Sequence, residues 1–177
     1  TIEMVREAGV EVVTSGDLVQ RFDGLWDEAA IASHREAADK LYRIKDAAFE
    51  AVTKRLRDSV ATTEFDIQQL MSGWFADHGL VAGSAPNVSA QENAGNPHYL
   101  PTASRHRAIG RDELLLLDLW GKCNRRHAVY ADITWVGFTG RHAPDRMTRA
   151  FAVIVEARDA AVHFVQTAAR EGRTVRG

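Results

Sequence analysis

An α+β domain, with helices laid on one face of an antiparallel sheet, is what the sequence predicts, and three patterns predict it. A long apolar stripe at helical spacing runs through residues 27–57 with no Pro or Gly to interrupt it. Two strand-like runs, 113–119 and 128–138, flank a short polar connection and read as a hairpin. An amphipathic segment opening at Pro144 closes the chain with a second long helix.

The elements follow in order. Residues 1–25 are mixed, with a β-like stretch from Val10 to Val13 and a Ser-Gly-Asp turn, and are expected to be a linker or the tail of a preceding domain. The first long helix carries Ile31, Ala38, Leu41, Ile44, Ala48, Val52 and Leu56 on one face. A second helix spans about 64–78, with Thr62 or Thr63 as N-cap, Gly79 just past its end, and Ile67, Leu70, Met71, Trp74 and Phe75 inward. Gly83 to Pro86 break the pattern before a strand at 87–91. Glu92 to Thr102 form an ordered loop bearing His98, and 110–112 form a turn. The run 113–119 is apolar on both faces and is expected to be buried. In the last helix Met147, Phe151, Ile154, Val155, Val162 and Val165 share a face, and Gly172 ends it.

Composition narrows the classes. The 177 residues are 45% hydrophobic and 26% charged, enough for one domain with a core. A formal net charge of −2 gives no field that would draw nucleic acid or an anionic membrane. The single cysteine, Cys123, excludes an intrachain disulfide, and with no secretory leader in the opening residues a cytoplasmic location is expected. The longest strongly apolar run, 114–117, is far too short to span a bilayer.

The chemistry concentrates in the hairpin. Asp118 ends one apolar strand and Asp132 lies within the next. A turn centred near Arg125 puts the two directly across from each other, where cross-strand Cβ atoms stand roughly 4.5–5.5 Å apart. Two carboxylates that close repel unless one is protonated or a cation lies between them. Aspartates at strand ends are common, however, and a one-residue slip would send these two to opposite faces. His34, His106, His127, His142 and His163 read as surface or structural groups, and Cys123, at the hairpin tip, has no histidine partner in sequence. There is no glycine-rich phosphate loop and no serine nucleophile elbow.

The stretches SAQENAGNPHYLPT, ELLLLDLWG and YADITWVGFTG resemble, in that order, the core of Xaa-Pro aminopeptidases and prolidases, metallopeptidases of the methionine aminopeptidase/creatinase superfamily. SGDLVQRFDGLWDEAAIASHREAADKL resembles the linker and first long helix of these enzymes, and EARDAAVHFVQTAAREGRTVRG the helix that precedes their third metal ligand. The resemblance implies the first half of a pita-bread fold over residues 26–177, incomplete at its C-terminal side. It implies hydrolysis next to proline in a peptide or dipeptide, by a hydroxide held between two divalent ions, with manganese first and cobalt, zinc or iron as alternatives. Asp118 then matches the ligand to one metal, Asp132 the ligand bridging both, and His98 the histidine that contacts substrate without binding metal. Thr134 is placed to support the Asp132 carboxylate, and Trp120 or Trp135 to line a substrate pocket.

Two departures stand out. The spacing of 14 between Asp118 and Asp132 exceeds the family's usual one, the extra residues falling in the connection, where insertion is cheap. The family's remaining ligands, one His and two Glu, belong downstream of the last helix, so the isolated chain is expected to bind metal weakly and to be inactive. A homodimer is allowed; nucleic acid and membrane are not expected partners. The rival readings are a metal-free, creatinase-like hydrolase on the same fold and a non-catalytic module that binds peptide or protein.

Overall fold

The computed structural model describes residues 2–173; residues 174–177, the end of the segment compared with the helix before the third ligand, lie outside the described residues. Two short helices come first, α1 (Ile2–Glu7) and α2 (Gly16–Asp23), followed by α3 (Glu28–Arg57) and α4 (Glu64–Asp77). Strands β1 (Leu80–Val81) and β2 (Asn87–Ala90) lead into a 3-10 turn at Gln91–Gly95. The hairpin β3 (Leu114–Cys123) and β4 (Ala131–Phe138) precedes α5 (Asp145–Arg170). The expected β-like stretch at 10–13 is not a strand, and the Gly16-Asp17 turn is instead the start of α2.

Helix starts follow their capping chemistry. Asp27 accepts the Ala30 N–H at 2.7 Å and caps α3. Thr63 and Asp66 form a reciprocal capping box on α4: the Thr63 hydroxyl accepts the Asp66 N–H, and the Asp66 carboxylate accepts the Thr63 N–H. Gly79 takes a φ of +65° just past α4, a conformation glycine adopts without a steric penalty.

The sheet is antiparallel, with β3 at its centre. β1 and β2 pair along one side of β3, β4 pairs along the other, and every pairing is antiparallel. Helix α3 packs on β3 and β4, and α4 packs on β1 and β2. Alternation along β3 sends Leu115, Leu117, Leu119 and Cys123 into this helix-covered core with Leu41, Ile44, Ala48, Ile67, Met71 and Phe75. Gly121 sits where a Cβ would meet Phe75 and Leu41, and Gly137 lets the Phe49 ring of α3 lie against β4.

β3 runs to Cys123, past its expected end at residue 119, because Lys122 and Cys123 pair with β1, which is too short to show a pattern in sequence. Cys123 is therefore buried at the end of a strand and not at a hairpin tip. Burial and a hydrogen bond to Glu36 both raise its thiol pKa, so it stays protonated and unreactive. The polar connection after it is pinned to the start of α3. Ser33 Oγ accepts the Val129 N–H, Arg125 pairs with Glu36 at 2.8 Å, and His34 Nδ1 donates to the Tyr130 carbonyl at 2.8 Å. Among the described residues no helix is long and apolar enough to cross a membrane.

Candidate active site

Even-numbered residues of the hairpin point away from α3 and α4. The row Asn87–Asp118–Thr134 crosses β2, β3 and β4, and the next row pairs Trp120 with Asp132. Asp118 and Asp132 thus share a face, as diagonal neighbours and not as direct partners. The register is shifted by two residues from one centred near Arg125, because β3 extends and the connection closes later. A shift of two preserves the side-chain face, whereas a shift of one would have reversed it. Diagonal neighbours stand roughly 7–8 Å apart, with their Cβ atoms somewhat closer.

The register also reassigns Thr134. Its hydroxyl donates to Asp118 Oδ1 at 2.7 Å, so it orients Asp118 and not Asp132 as expected. Asp118 is half-buried between its neighbours, and Asp132 is exposed on the outer strand. Partial desolvation, and then the negative charge of Asp118, raise the carboxyl pKa of Asp132. The charge of Asp118 is therefore felt at Asp132, at diagonal range.

Trp120 lies on the carboxylate face, directly across from Asp132. Trp135 lies on the opposite face, across from Leu117, so it does not line a pocket shared with the aspartates. Its ring meets Tyr42 edge-on and carries Lys45 Nζ at 4.3 Å from its centroid, while Lys45 also pairs with Asp46 at 2.7 Å. Alternation on β4 forces this: residues 134 and 135 cannot share a face.

Beyond Asp118 and Thr134 the same face turns apolar. Leu114, Leu116, Val136 and Phe138, with Phe151 and Ile154 of α5, border a groove of about 470 Å³. Ala94, in the 3-10 turn, closes one side of it, which brings the segment leading to His98 to the rim of this face. His98 is exposed, and its backbone N–H donates to Asn96 Oδ1 at 3.0 Å.

Sequence reasoning passed over Glu64. Its side chain is fully buried, and the carboxylate accepts from the backbone of Ala90 (2.7 Å) and Arg107 (2.9 Å), from Asn93 Nδ2 (3.0 Å) and from the Tyr99 hydroxyl (2.5 Å). Its position at the head of a helix hid it, since an acidic residue there is ordinary. Burial and the bond to Glu64 raise the Tyr99 phenol pKa to about 12, against the opposing pull of Arg105 and Arg107. A pKa raised by folding stabilises the native state fully below the unfolded value of 10.0 and progressively less as pH climbs to about 12. Thermal melts should therefore show a loss of stability across that window that is absent from Tyr99→Phe. Identical pH dependence in the two proteins would contradict it.

Carboxylate oxygens suit hard divalent cations, and the two aspartates fit as part of such a ligand set. Among the described residues no three His, Cys, Asp or Glu side chains gather to complete one.

Comparison with known proteins decides the lineage. The model of metallopeptidase family M24 matches residues 36–176, most of the chain. The chain belongs to this family. This M24 chain is similar in fold to a prolidase from Pyrococcus furiosus, with a TM-score of 0.65 and 16% identity over 81% of its length and 39% of the prolidase. It is similar to an X-Pro aminopeptidase from Thermotoga maritima MSB8, with a TM-score of 0.63 and 18% identity over 90% of its length and 43% of that enzyme. It is similar, too, to an X-prolyl aminopeptidase from Caenorhabditis elegans, a cytosolic enzyme with a di-nuclear active site, with a TM-score of 0.58 and 18% identity over 73% of its length and 21% of that enzyme. No curated protein matches it. The M24 chain spans less than half of each of these structures, and its fold is the N-terminal part of their pita-bread architecture.

Proposed function

We propose that this M24 chain contributes two metal ligands and a substrate-contacting histidine to a peptidase that cleaves next to proline, as an Xaa-Pro aminopeptidase or dipeptidase. The observation that carries the reading is the placement of Asp118 and Asp132 on one open face of the hairpin. A creatinase-like enzyme without metals has no need of both carboxylates there. In the proposed site Asp118, oriented by Thr134, and Asp132 would both supply carboxylate oxygens to hold divalent metal. Two such ions, when bound, polarise the scissile carbonyl and lower the pKa of the attacking water. Manganese suits carboxylate oxygen donors, and cobalt, zinc or iron become competitive once a histidine joins the set. His98 steadies the substrate at the rim, Trp120 flanks Asp132, and the apolar groove beside Asp118 offers room for a proline ring or an apolar neighbour. The compartment proposed is the cytoplasm.

Isothermal titration of the 177-residue chain with Mn²⁺ tests the division of labour. Binding weaker than micromolar and no turnover of an Xaa-Pro dipeptide are expected. A polypeptide that continues past residue 177 with one His and two Glu in family context should bind tightly and hydrolyse the same dipeptide. Turnover by the short chain would overturn the division. Failure of a longer chain with those ligands to cleave Xaa-Pro bonds would overturn the assignment.

A further inference from the structure

We infer that Glu64 is a positioning residue that fastens the His98 loop from beneath, through one buried carboxylate. Helix capping does not account for it, because Thr63 and Asp66 already complete the cap of α4. A carboxylate with no exposed surface carries a desolvation penalty that an apolar side chain in the same place would avoid. Among the described residues no side-chain cation pairs with this carboxylate. The guanidinium of Arg107 is engaged by Glu92 and Glu113, and only its backbone N–H reaches Glu64. The balance comes from hydrogen-bond donors and from the positive end of α4.

Every one of those donors belongs to a single stretch of chain, residues 90–107, and they bracket His98: Ala90 and Asn93 before it, Tyr99 and Arg107 after it. Between the anchors the backbone is wound tightly. Asn96 N–H donates to Asn93 O, Tyr99 N–H to Asn96 O, and His98 N–H to Asn96 Oδ1. His98 is thus one residue from a phenol bound to Glu64 and two residues from an asparagine tied to Asn93. The path of the backbone that carries its imidazole is set by a fully buried acid on α4 that does not reach the open sheet face. Use of His98 on substrate rests on the function proposed above; the clamp rests on the hydrogen bonds alone.

Glu64→Gln keeps the shape and replaces an acceptor oxygen with a donor amide that faces donors. In the 177-residue chain it should leave the helical circular dichroism in place and speed amide exchange at Ala90 and Arg107 by roughly tenfold or more. The NMR signals of the His98 ring should shift or broaden with it. Ile67→Val, which trims the buried face of the same helix, is the structural control: it should lower the melting temperature while leaving His98 unmoved. Unchanged His98 signals in folded Glu64→Gln, or an equal change in Ile67→Val, would overturn the clamp. Should Glu64→Gln fail to fold, Tyr99→Phe decides by the same His98 signals, moved if the clamp is right and unmoved if it is wrong. None of these readouts needs metal or turnover, so the clamp and the peptidase reading fail separately.

Discussion

Asp132→Asn is expected to end hydrolysis of Xaa-Pro dipeptides in a polypeptide that supplies the remaining family ligands, while the metal-free protein melts at the same temperature or slightly higher. The two effects have one cause. Asp132 and Asp118 are like charges on one face of the hairpin, and burial together with the charge of Asp118 raises the cost of ionising Asp132. Asparagine removes the repulsion and keeps the shape, so nothing in the fold is lost. It also removes a charge that a bound divalent cation would need. The drop in kcat/KM should exceed the roughly 10–100-fold typical for loss of a supporting group around a metal. Steady-state kinetics with added Mn²⁺, beside melts in chelator, measure both arms. Retained activity would sink the assignment of Asp132, and a large loss of stability would show that the carboxylate is structural.

Gly137→Ala is expected to destabilise the domain by about 1 kcal/mol, the lower end of the range for overpacking, because the crowded Phe49 ring borders a cavity. A Cβ built on Gly137 lies 2.5 Å from Phe49 Cε1 and 3.1 Å from Cζ. Those atoms are part of the Phe49 ring, which reaches from α3 to β4 and must shift as one planar unit, toward the cavity it lines, to make room for the methyl. For a chain of this size each kcal/mol lowers Tm by roughly 2–4 °C. Phe49→Leu should recover part of the loss in the double variant, because a smaller side chain vacates the space the methyl needs. Additive losses in a double-mutant cycle would show that the two positions do not meet. The contact bears on function because β4 carries Asp132 and Thr134, and α3 holds that strand in register against β3.

The long helices and the hairpin were legible in sequence because their signals are periodic and uninterrupted. Leu41, Ile44, Ala48 and Val52 recur on one face of α3, and the buried positions fall on them. The carboxylate pair was legible as a same-face pair but not as a row. Register depends on where β3 ends, and β3 ends where the two-residue strand β1 stops pairing with it. That partner lies far upstream in sequence and has no pattern of its own. The same gap put Cys123 at a hairpin tip and gave Thr134 the wrong aspartate. Trp135 was misplaced for a simpler reason, since its parity on β4 already put it opposite Thr134. Glu64 was invisible because its partners are mostly backbone groups on a loop whose path no local pattern predicts. In the first 25 residues the β-like stretch at 10–13 suggested a strand, but among the described residues no strand pairs with it.

Asp118 sits on the central strand, flanked by Asn87 on one side and held by Thr134 on the other, while Asp132 rides the outermost strand among the described residues. The two acids therefore differ in freedom: one is fixed by neighbours on both flanks, the other moves with whatever fraying β4 undergoes. An ion gripped by both would work as a rivet, tying the loosest rung of the ladder to its firmest.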